Sequence, residues 1–368
     1  MATILLLGWA GSIHIHRWVD ALAERGHALT LVSYGASGAA SGSAYAAPEN
    51  VNTIILPKTR LGKLSYLFYA RRIREIARSL RPAPDIIHAH YASSYGLWGL
   101  CAKSALTNTP LIVSVWGSDV TRAGKGVVTG AVVRQVLRKA SRVTASSNYL
   151  RDQVARMVSN VSPVVVPFGV AMAEVERVLE APPDRADSEV RFLFLKALQP
   201  VYGPEILLEA FANLRREEPN VRLTMAGEGT LREKSECLAK RLGIEKDVTF
   251  PGYIESTRLF RFIREHDALV MPTRIPEGFG VVALEAAALG LPVIATHPGG
   301  VTDIVESGVT GLLVPPNDLA ALTDAMRTLA RDKGLRQRLG AQAMLRAKHF
   351  AWTKCVDEMG RVYRSTLL

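Results

Sequence analysis

Cysteine is sparse in this chain of 368 residues: Cys101, Cys237 and Cys355 are odd in number and far apart. They make neither a disulfide framework nor a Cys-x-x-Cys metal site, which suits a reducing cytoplasm. No window of about 18 apolar residues occurs, which argues against a membrane-spanning helix. The opening Ile4-Leu5-Leu6-Leu7 run is too short for a signal peptide and has no basic start, so it reads as a first buried strand. That run ends Leu7-Gly8-Trp9-Ala10-Gly11-Ser12 rather than in G-x-G-x-x-G, which argues against a dinucleotide dehydrogenase. No Asp-x-Asp stands at a strand end, so the sequence requires no catalytic metal.

Acid is also scarce, but only in one half. Residues 1–170 carry 19 Lys and Arg against 7 Asp and Glu, whereas the remainder is near balance at 26 against 27. The excess concentrates at Lys58, Arg60, Lys63, Arg71, Arg72, Arg74, Arg78 and Arg81, with Leu64, Tyr66, Leu67, Phe68 and Tyr69 interleaved. A solvated helix face over a buried apolar stripe fits this pattern, and so does a surface for anionic lipid or an anionic acceptor. Nucleic acid is not expected as a partner, because no aromatic platform for single strands and no finger spacing accompanies the charge.

What the chain does have is alternation. Short apolar runs at 3–7, 28–33, 51–56, 85–90, 111–115, 142–145 and 164–167 are separated by stretches of helical periodicity, beginning with 15–25. The segment 36–48, rich in Gly, Ala and Ser, reads as a loop. The segment 171–189, rich in Glu, Pro and Asp, reads as a linker. Alternation then restarts, with runs at 191–195, 222–226, 248–250, 268–272, 292–295 and 311–314. Such a pattern predicts two α/β domains with doubly wound parallel sheets, which bind ligands at the carboxyl ends of their strands. The expected boundaries are 1–170, a linker at 171–189 and 190–351, with a final helix over 352–368 packing back on the first domain.

One stretch points to chemistry. Pro276-Glu277-Gly278-Phe279-Gly280-Val281-Val282-Ala283-Leu284-Glu285 joins the apolar run ending at Pro272 to a helical pattern over 281–289. A strand, a glycine-bearing turn and a helix start aim free backbone N–H groups and the positive end of the helix dipole above the strand. That suits a phosphate or a developing diphosphate, with Glu277 and Glu285 placed to accept hydrogen bonds from sugar or ribose hydroxyls. A second strand and glycine turn, 292–300, doubles the cradle.

With these motifs the chain resembles a retaining glycosyltransferase of glycosyltransferase family four, whose fold is GT-B: two Rossmann-like domains facing a central cleft. The carriers are Asp85-Ile86-Ile87-His88-Ala89-His90, Trp116-Gly117-Ser118-Asp119, Pro167-Phe168-Gly169-Val170, Ala226-Gly227-Glu228-Gly229, and the Glu277/Glu285 segment followed by Gly299-Gly300. The resemblance implies a nucleotide diphosphate sugar as donor, no required cofactor, and a sugar or lipid-linked acceptor. It implies that Glu277 contacts donor-sugar hydroxyls and that N–H groups from Gly278 through Phe279 and Gly280 to Val281 face the sugar and diphosphate. Glu285 would take the ribose, and Gly227 and Arg274 would line the donor. Gly11 in the first glycine turn would face donor phosphates, a role that an ordinary tight turn rivals. Ser12, His14 and Ser147 would lie toward the acceptor, with helix N-capping the competing reading for Ser147. His88 and His90, alternating along one strand, read as core or strand-end residues rather than as a metal pair.

Two departures from the family pattern stand out. The usual pair of basic residues is reduced to Lys196 in Phe194-Leu195-Lys196-Ala197-Leu198-Gln199-Pro200-Val201-Tyr202-Gly203, with Tyr202 where a lysine is usual. Lys196 therefore carries more of the leaving-group stabilisation, with Arg274 as a candidate helper. Trp116 stands where many relatives have histidine, which supplies stacking area and an N–H but no base. Asp119 becomes the polar catalytic candidate in that loop, with a turn cap as its alternative. The implied reaction is hexosyl transfer to a hydroxyl with retention, in polysaccharide, glycolipid or other glycoconjugate synthesis. A cytoplasmic location is expected, with the inner face of the membrane as a docking surface. A sugar-nucleotide epimerase or hydrolase, or a non-catalytic sugar-nucleotide-binding protein, is the alternative.

Overall fold

The computed structural model describes residues 1–35, 47–58, 65–122, 126–181 and 189–368. Most of the expected 36–48 loop, residues 182–188 of the expected linker, Arg60, Lys63 and Leu64, and the side chains of Tyr66 and Leu67 lie outside them. The chain divides into two compact units, residues 1–167 with 355–368, and residues 168–354.

The first unit holds strands β1 (Thr3–Leu7), β2 (Ala28–Tyr34), β3 (Val51–Leu56), β4 (Ile86–His90), β5 (Leu111–Val115), β6 (Arg142–Ala145) and β7 (Val164–Val165). They form one parallel sheet in the order β3-β2-β1-β4-β5-β6-β7. The runs are apolar because helices cover both faces, leaving every residue of β4 and β5 buried. Leu5, Ile87 and Val113 pack on one face against Trp98 and Ala102 of helix Ser94–Ala105 and Val133 of helix Val127–Lys139. Strand order reverses between β1 and β4, which opens a crevice at their carboxyl ends.

The second unit repeats the plan with β8 (Val190–Leu195), β9 (Val221–Ala226), β10 (Val248–Gly252), β11 (Ala268–Met271), β12 (Val293–Thr296) and β13 (Gly311–Val314), ordered β10-β9-β8-β11-β12-β13 and parallel. Its reversal falls between β8 and β11. Phe192, Phe194, Met225 and Val270 fill the core against Leu207 and Phe211 of helix Pro204–Glu217 and Met326 of helix Leu319–Arg331. Each such side chain contributes about 1.5–3 kcal/mol by leaving water.

The stretch expected to be a linker opens with a helix, Met172–Glu180, whose Val175 is buried. Its Pro and acidic composition concealed an amphipathic turn pattern. Where the chain enters and leaves the second unit, Val170 pairs with Ala351: Val170 N–H donates to Phe350 O (2.9 Å) and Trp352 N–H to Val170 O (2.9 Å). The final helix, Trp352–Leu367, buries Met359, Val362 and Tyr363. Its Asp357 pairs with Arg25 at 2.6 Å within the first unit.

Candidate functional site

At the carboxyl edge of the second sheet, four loops are locked in two pairs by backbone. Lys196 follows β8, and its N–H donates to Ala226 O at 3.2 Å. Gly227, with φ +135°, lies so close that a Cβ there would stand 2.1 Å from the Lys196 carbonyl oxygen. Only glycine fits that contact. After β11, the turn bearing Glu277 lies against Gly299, where a Cβ would meet Glu277 N at 2.8 Å, and Gly300 N–H donates to Glu277 O at 2.8 Å. The second glycine turn thus fixes the backbone of Glu277.

Gly280, at φ +92°, is the N-cap of helix Val281–Ala288. No acidic residue occupies that first turn, where the opening N–H groups of a helix have no intrahelical carbonyl and suit an anion. Phe279 is buried and packs against Phe168 and Phe350, with ring centroids 6.1 and 5.7 Å apart. Its side chain anchors the turn, leaving only its backbone to meet a ligand. Glu285 sits one turn into the helix, half-buried, between Leu284 and Ala286, which are fully buried.

Within this frame Lys196 Nζ and Glu277 Oε1 form an ion pair of 2.9 Å, with side chains 17% and 15% exposed. Thr273 Oγ1 donates to the same carboxylate oxygen at 3.4 Å. The Lys196 ammonium also lies 5.1 Å from the centroid of the Tyr202 ring. Arg274, expected to assist Lys196, is paired instead with Glu205 of helix Pro204–Glu217 at 3.1 Å.

The first unit places its candidates at the carboxyl ends of β1, β4, β5 and β6. Gly11 and Ser12 end the turn after β1, where Ala10 N–H donates to Ser33 Oγ (2.9 Å) and Ser12 N–H to Trp9 O (2.9 Å). The Trp116 ring, beyond β5, meets His14 at 6.0 Å, His90 at 4.9 Å and Tyr91 at 5.7 Å between centroids. Asp119 is 1% exposed, and its carboxylate accepts from Ala92 N (2.9 Å), Gly117 N (2.8 Å) and Trp116 N (3.2 Å). Burial pushes its pKa up, against the pull of these backbone donors. Asp119 thus has the bonding of the turn-cap alternative: it is buried, bonded to the loop, and accepts from the backbone of Trp116. Ser147 is likewise fully buried as the N-cap of helix Asn148–Met157, accepting from Leu150 N at 3.1 Å.

Sequence reasoning gave no specific partner to the two histidines of β4. Being two residues apart, they share a face of the strand, and their rings lie 4.1 Å apart. His88 bridges Tyr363 Oη (2.7 Å) and Ser114 Oγ (2.8 Å), and Ser114 Oγ continues to Thr144 Oγ1 (2.7 Å). Burial holds the His88 pKa down to about 3 and that of His90 well below the usual value. Both are neutral rings in a buried chain. Among the described residues, no group of three His, Cys, Asp or Glu is arranged to hold a metal ion.

Comparison with known proteins places both units. Residues 3–166 match the family described as glycosyl transferase 4-like, and residues 177–346 match glycosyl transferases group 1. A D-inositol 3-phosphate glycosyltransferase of Acidothermus cellulolyticus is 30% identical over 340 residues, covering 85% of this chain and 74% of that protein. The glycogen synthase of Mycobacterium tuberculosis is 29% identical over 308 residues, covering 79% and 71%. In fold, the chain is similar to a sucrose-phosphate synthase from Thermosynechococcus elongatus (TM-score 0.80, 22% identity, 99% of each chain). It is also similar to Anabaena HepE, solved in complex with UDP and glucose (TM-score 0.79, 18% identity, 99% of this chain and 100% of that one). With two doubly wound parallel-sheet domains and family matches across both, the chain belongs to the group 1, family-four-like glycosyltransferases of GT-B fold.

Proposed function

We propose that this glycosyltransferase moves a hexosyl unit from a nucleotide diphosphate sugar to an acceptor hydroxyl, with retention at the anomeric carbon. The observation that carries the reading is the Lys196–Glu277 pair at the carboxyl edge of the second sheet, beside a helix start whose first turn holds no acidic residue. In this reading Lys196 and the N–H groups from Gly278 to Val281 stabilise charge on the departing diphosphate. Glu277 accepts from sugar hydroxyls and Glu285 from the ribose. Gly227 lets the backbone come close to the nucleotide, and Arg274 contributes charge at the rim while paired with Glu205.

The bond from the anomeric carbon to the phosphate oxygen breaks, and the acceptor oxygen attacks from the same face. The acceptor proton passes to the departing phosphate oxygen, so neither Glu277 nor Glu285 need act as a nucleophile. Catalysis then rests on positioning and charge stabilisation. In the first unit, Gly11 would face the phosphates and Trp116 the donor, with Asp119 acting through Trp116. Ser12, His14 and Ser147 would serve the acceptor side, Ser147 by shaping its loop.

The acceptor class is a sugar or lipid-linked sugar, and the protein works in the cytoplasm at the inner face of the membrane. Supporting this, helix Ser65–Ser79 turns Ile73, Ile76 and Ala77 inward and leaves Arg71, Arg72 and Arg78 exposed. No helix among the described residues is long and apolar enough to cross a membrane.

A panel of nucleotide sugars tests the reading, scored by thermal stabilisation and by the anomeric configuration of the product. One donor should raise the melting temperature and yield a glycoside of unchanged configuration. An inverted product would refute retention. An epimerised sugar, or binding with neither transfer nor hydrolysis, would replace the transferase reading with an epimerase or a binding protein.

A further inference from the structure

In the proposed donor site, the Lys196 ammonium has two neighbours of different character. One is charged and exchangeable: Glu277, at 2.9 Å. The other is uncharged and pinned: the Tyr202 ring, 5.1 Å from Lys196 Nζ. Tyr202 ends the short turn Pro200–Tyr202, whose Val201 O accepts from Arg274 N at 2.8 Å. The next residue, Gly203 at φ +68°, packs so tightly that a Cβ would stand 2.3 Å from Pro272 O. The ring is thus anchored to the same segment, 272–277, that carries the carboxylate.

We propose that Tyr202 is a positioning residue. Its ring face holds the Lys196 ammonium between two successive partners, Glu277 before the donor binds and the diphosphate of the donor once it has bound. This rests on the donor-site reading above. A ring face attracts a cation through its quadrupole but carries no net charge. It therefore restrains Lys196 without competing against an incoming anion, as a second carboxylate would, and without repelling the ammonium, as a second lysine would. When the diphosphate takes over the ammonium, Glu277 is released to accept from sugar hydroxyls, so arrival of the leaving group prepares the sugar contact.

The test is calorimetric binding of UDP, GDP and ADP, each against its monophosphate, to the full chain and to Tyr202→Phe, Tyr202→Leu, Lys196→Ala and the Lys196→Ala/Tyr202→Leu double variant. The best-bound diphosphate should bind Tyr202→Phe within about twofold of the unmodified chain, and Tyr202→Leu about fivefold more weakly. Monophosphate affinity should not change, and the leucine substitution should add nothing once Lys196 is gone. Should Tyr202→Leu fail to fold, Tyr202→Met takes its place. Equal losses for mono- and diphosphate, or a loss that persists without Lys196, would make Tyr202 merely structural. Wild-type affinity in Tyr202→Leu together with loss in Lys196→Ala would overturn the inference and leave the donor site standing. If no diphosphate binds the unmodified chain, the donor-site reading falls and this inference falls with it.

Discussion

In the proposed donor site, a lysine and a glutamate that would both serve a ligand are paired with each other, and this sets the behaviour of single substitutions. Lys196→Ala should lower the transfer rate about 100-fold, the scale of removing one preorganised charge stabiliser. Near-normal single-turnover rates in that variant would move the role to another group. Glu277→Ala should abolish efficient sugar transfer yet bind bare nucleoside diphosphate no more weakly than the unmodified chain, because the carboxylate competes for Lys196. Weaker diphosphate binding there would contradict the competition. Glu285→Ala should instead weaken nucleoside diphosphate binding by roughly 1.5–3 kcal/mol, the worth of a charged hydrogen bond, as titration calorimetry would show. At this scale the sequence identified Lys196 as the single basic residue but not its partner. The pairing joins residues 81 positions apart through loop geometry that no local pattern encodes. For Asp119, likewise, polarity in a glycine-bearing loop is visible in sequence, whereas the three backbone N–H groups it accepts from are not.

Strands were the most legible elements. Every apolar run singled out in the sequence is a strand, with ends displaced by at most two residues, and in central strands such as β4 and β5 burial on both sheet faces leaves an uninterrupted apolar signature. Helix Met172–Glu180 was obscured by its acidic composition, which drew attention from the helical spacing of Met172, Val175, Val178 and Leu179. The basic helix Ser65–Ser79 was legible as amphipathic, but its charge pairing was not. Glu75 engages both Arg71 and Arg72, at 2.8 and 2.7 Å, which tempers the positive face. Each basic residue near an anionic surface contributes about 1 kcal/mol, screened by salt. Vesicle flotation should therefore show salt-sensitive binding to anionic lipid that is lost when Arg71, Arg72 and Arg74 become Glu, while nucleotide binding persists. Indifference of the unmodified chain to anionic vesicles at low salt would favour a soluble acceptor.

For the whole molecule, the buried histidines make stability depend on pH with a definite sign. His88 has a folded pKa of about 3, far below its unfolded value, so the unfolded chain binds a proton in that interval that the native chain refuses. Stability should fall as pH drops from near 6.5 toward 3, by about 1.4 kcal/mol per pH unit for each such histidine. Urea midpoints between pH 7 and pH 5 should show a shallower slope for His88→Asn than for the unmodified chain. An unchanged slope would mean that other groups govern acid lability. The hydrogen bond between His88 and Tyr363 was beyond sequence reasoning, because it joins residues 275 positions apart.

That bond bears on how the protein is made. The first unit is discontinuous, with residues 168–354 inserted between its body and residues 355–368, and the insertion enters and leaves through the paired backbone of Val170 and Ala351. On the ribosome, the body of the first unit emerges early but lacks the helix that supplies Tyr363. His88 must wait, without its phenolic partner, while the whole second unit is synthesised. The inserted unit has no such wait: all of its strands are contiguous in sequence, so it can close first. Completion of the earlier-born domain is thus deferred until after the later-born one, and the nascent chain carries an unfinished core while residues 168–354 are made.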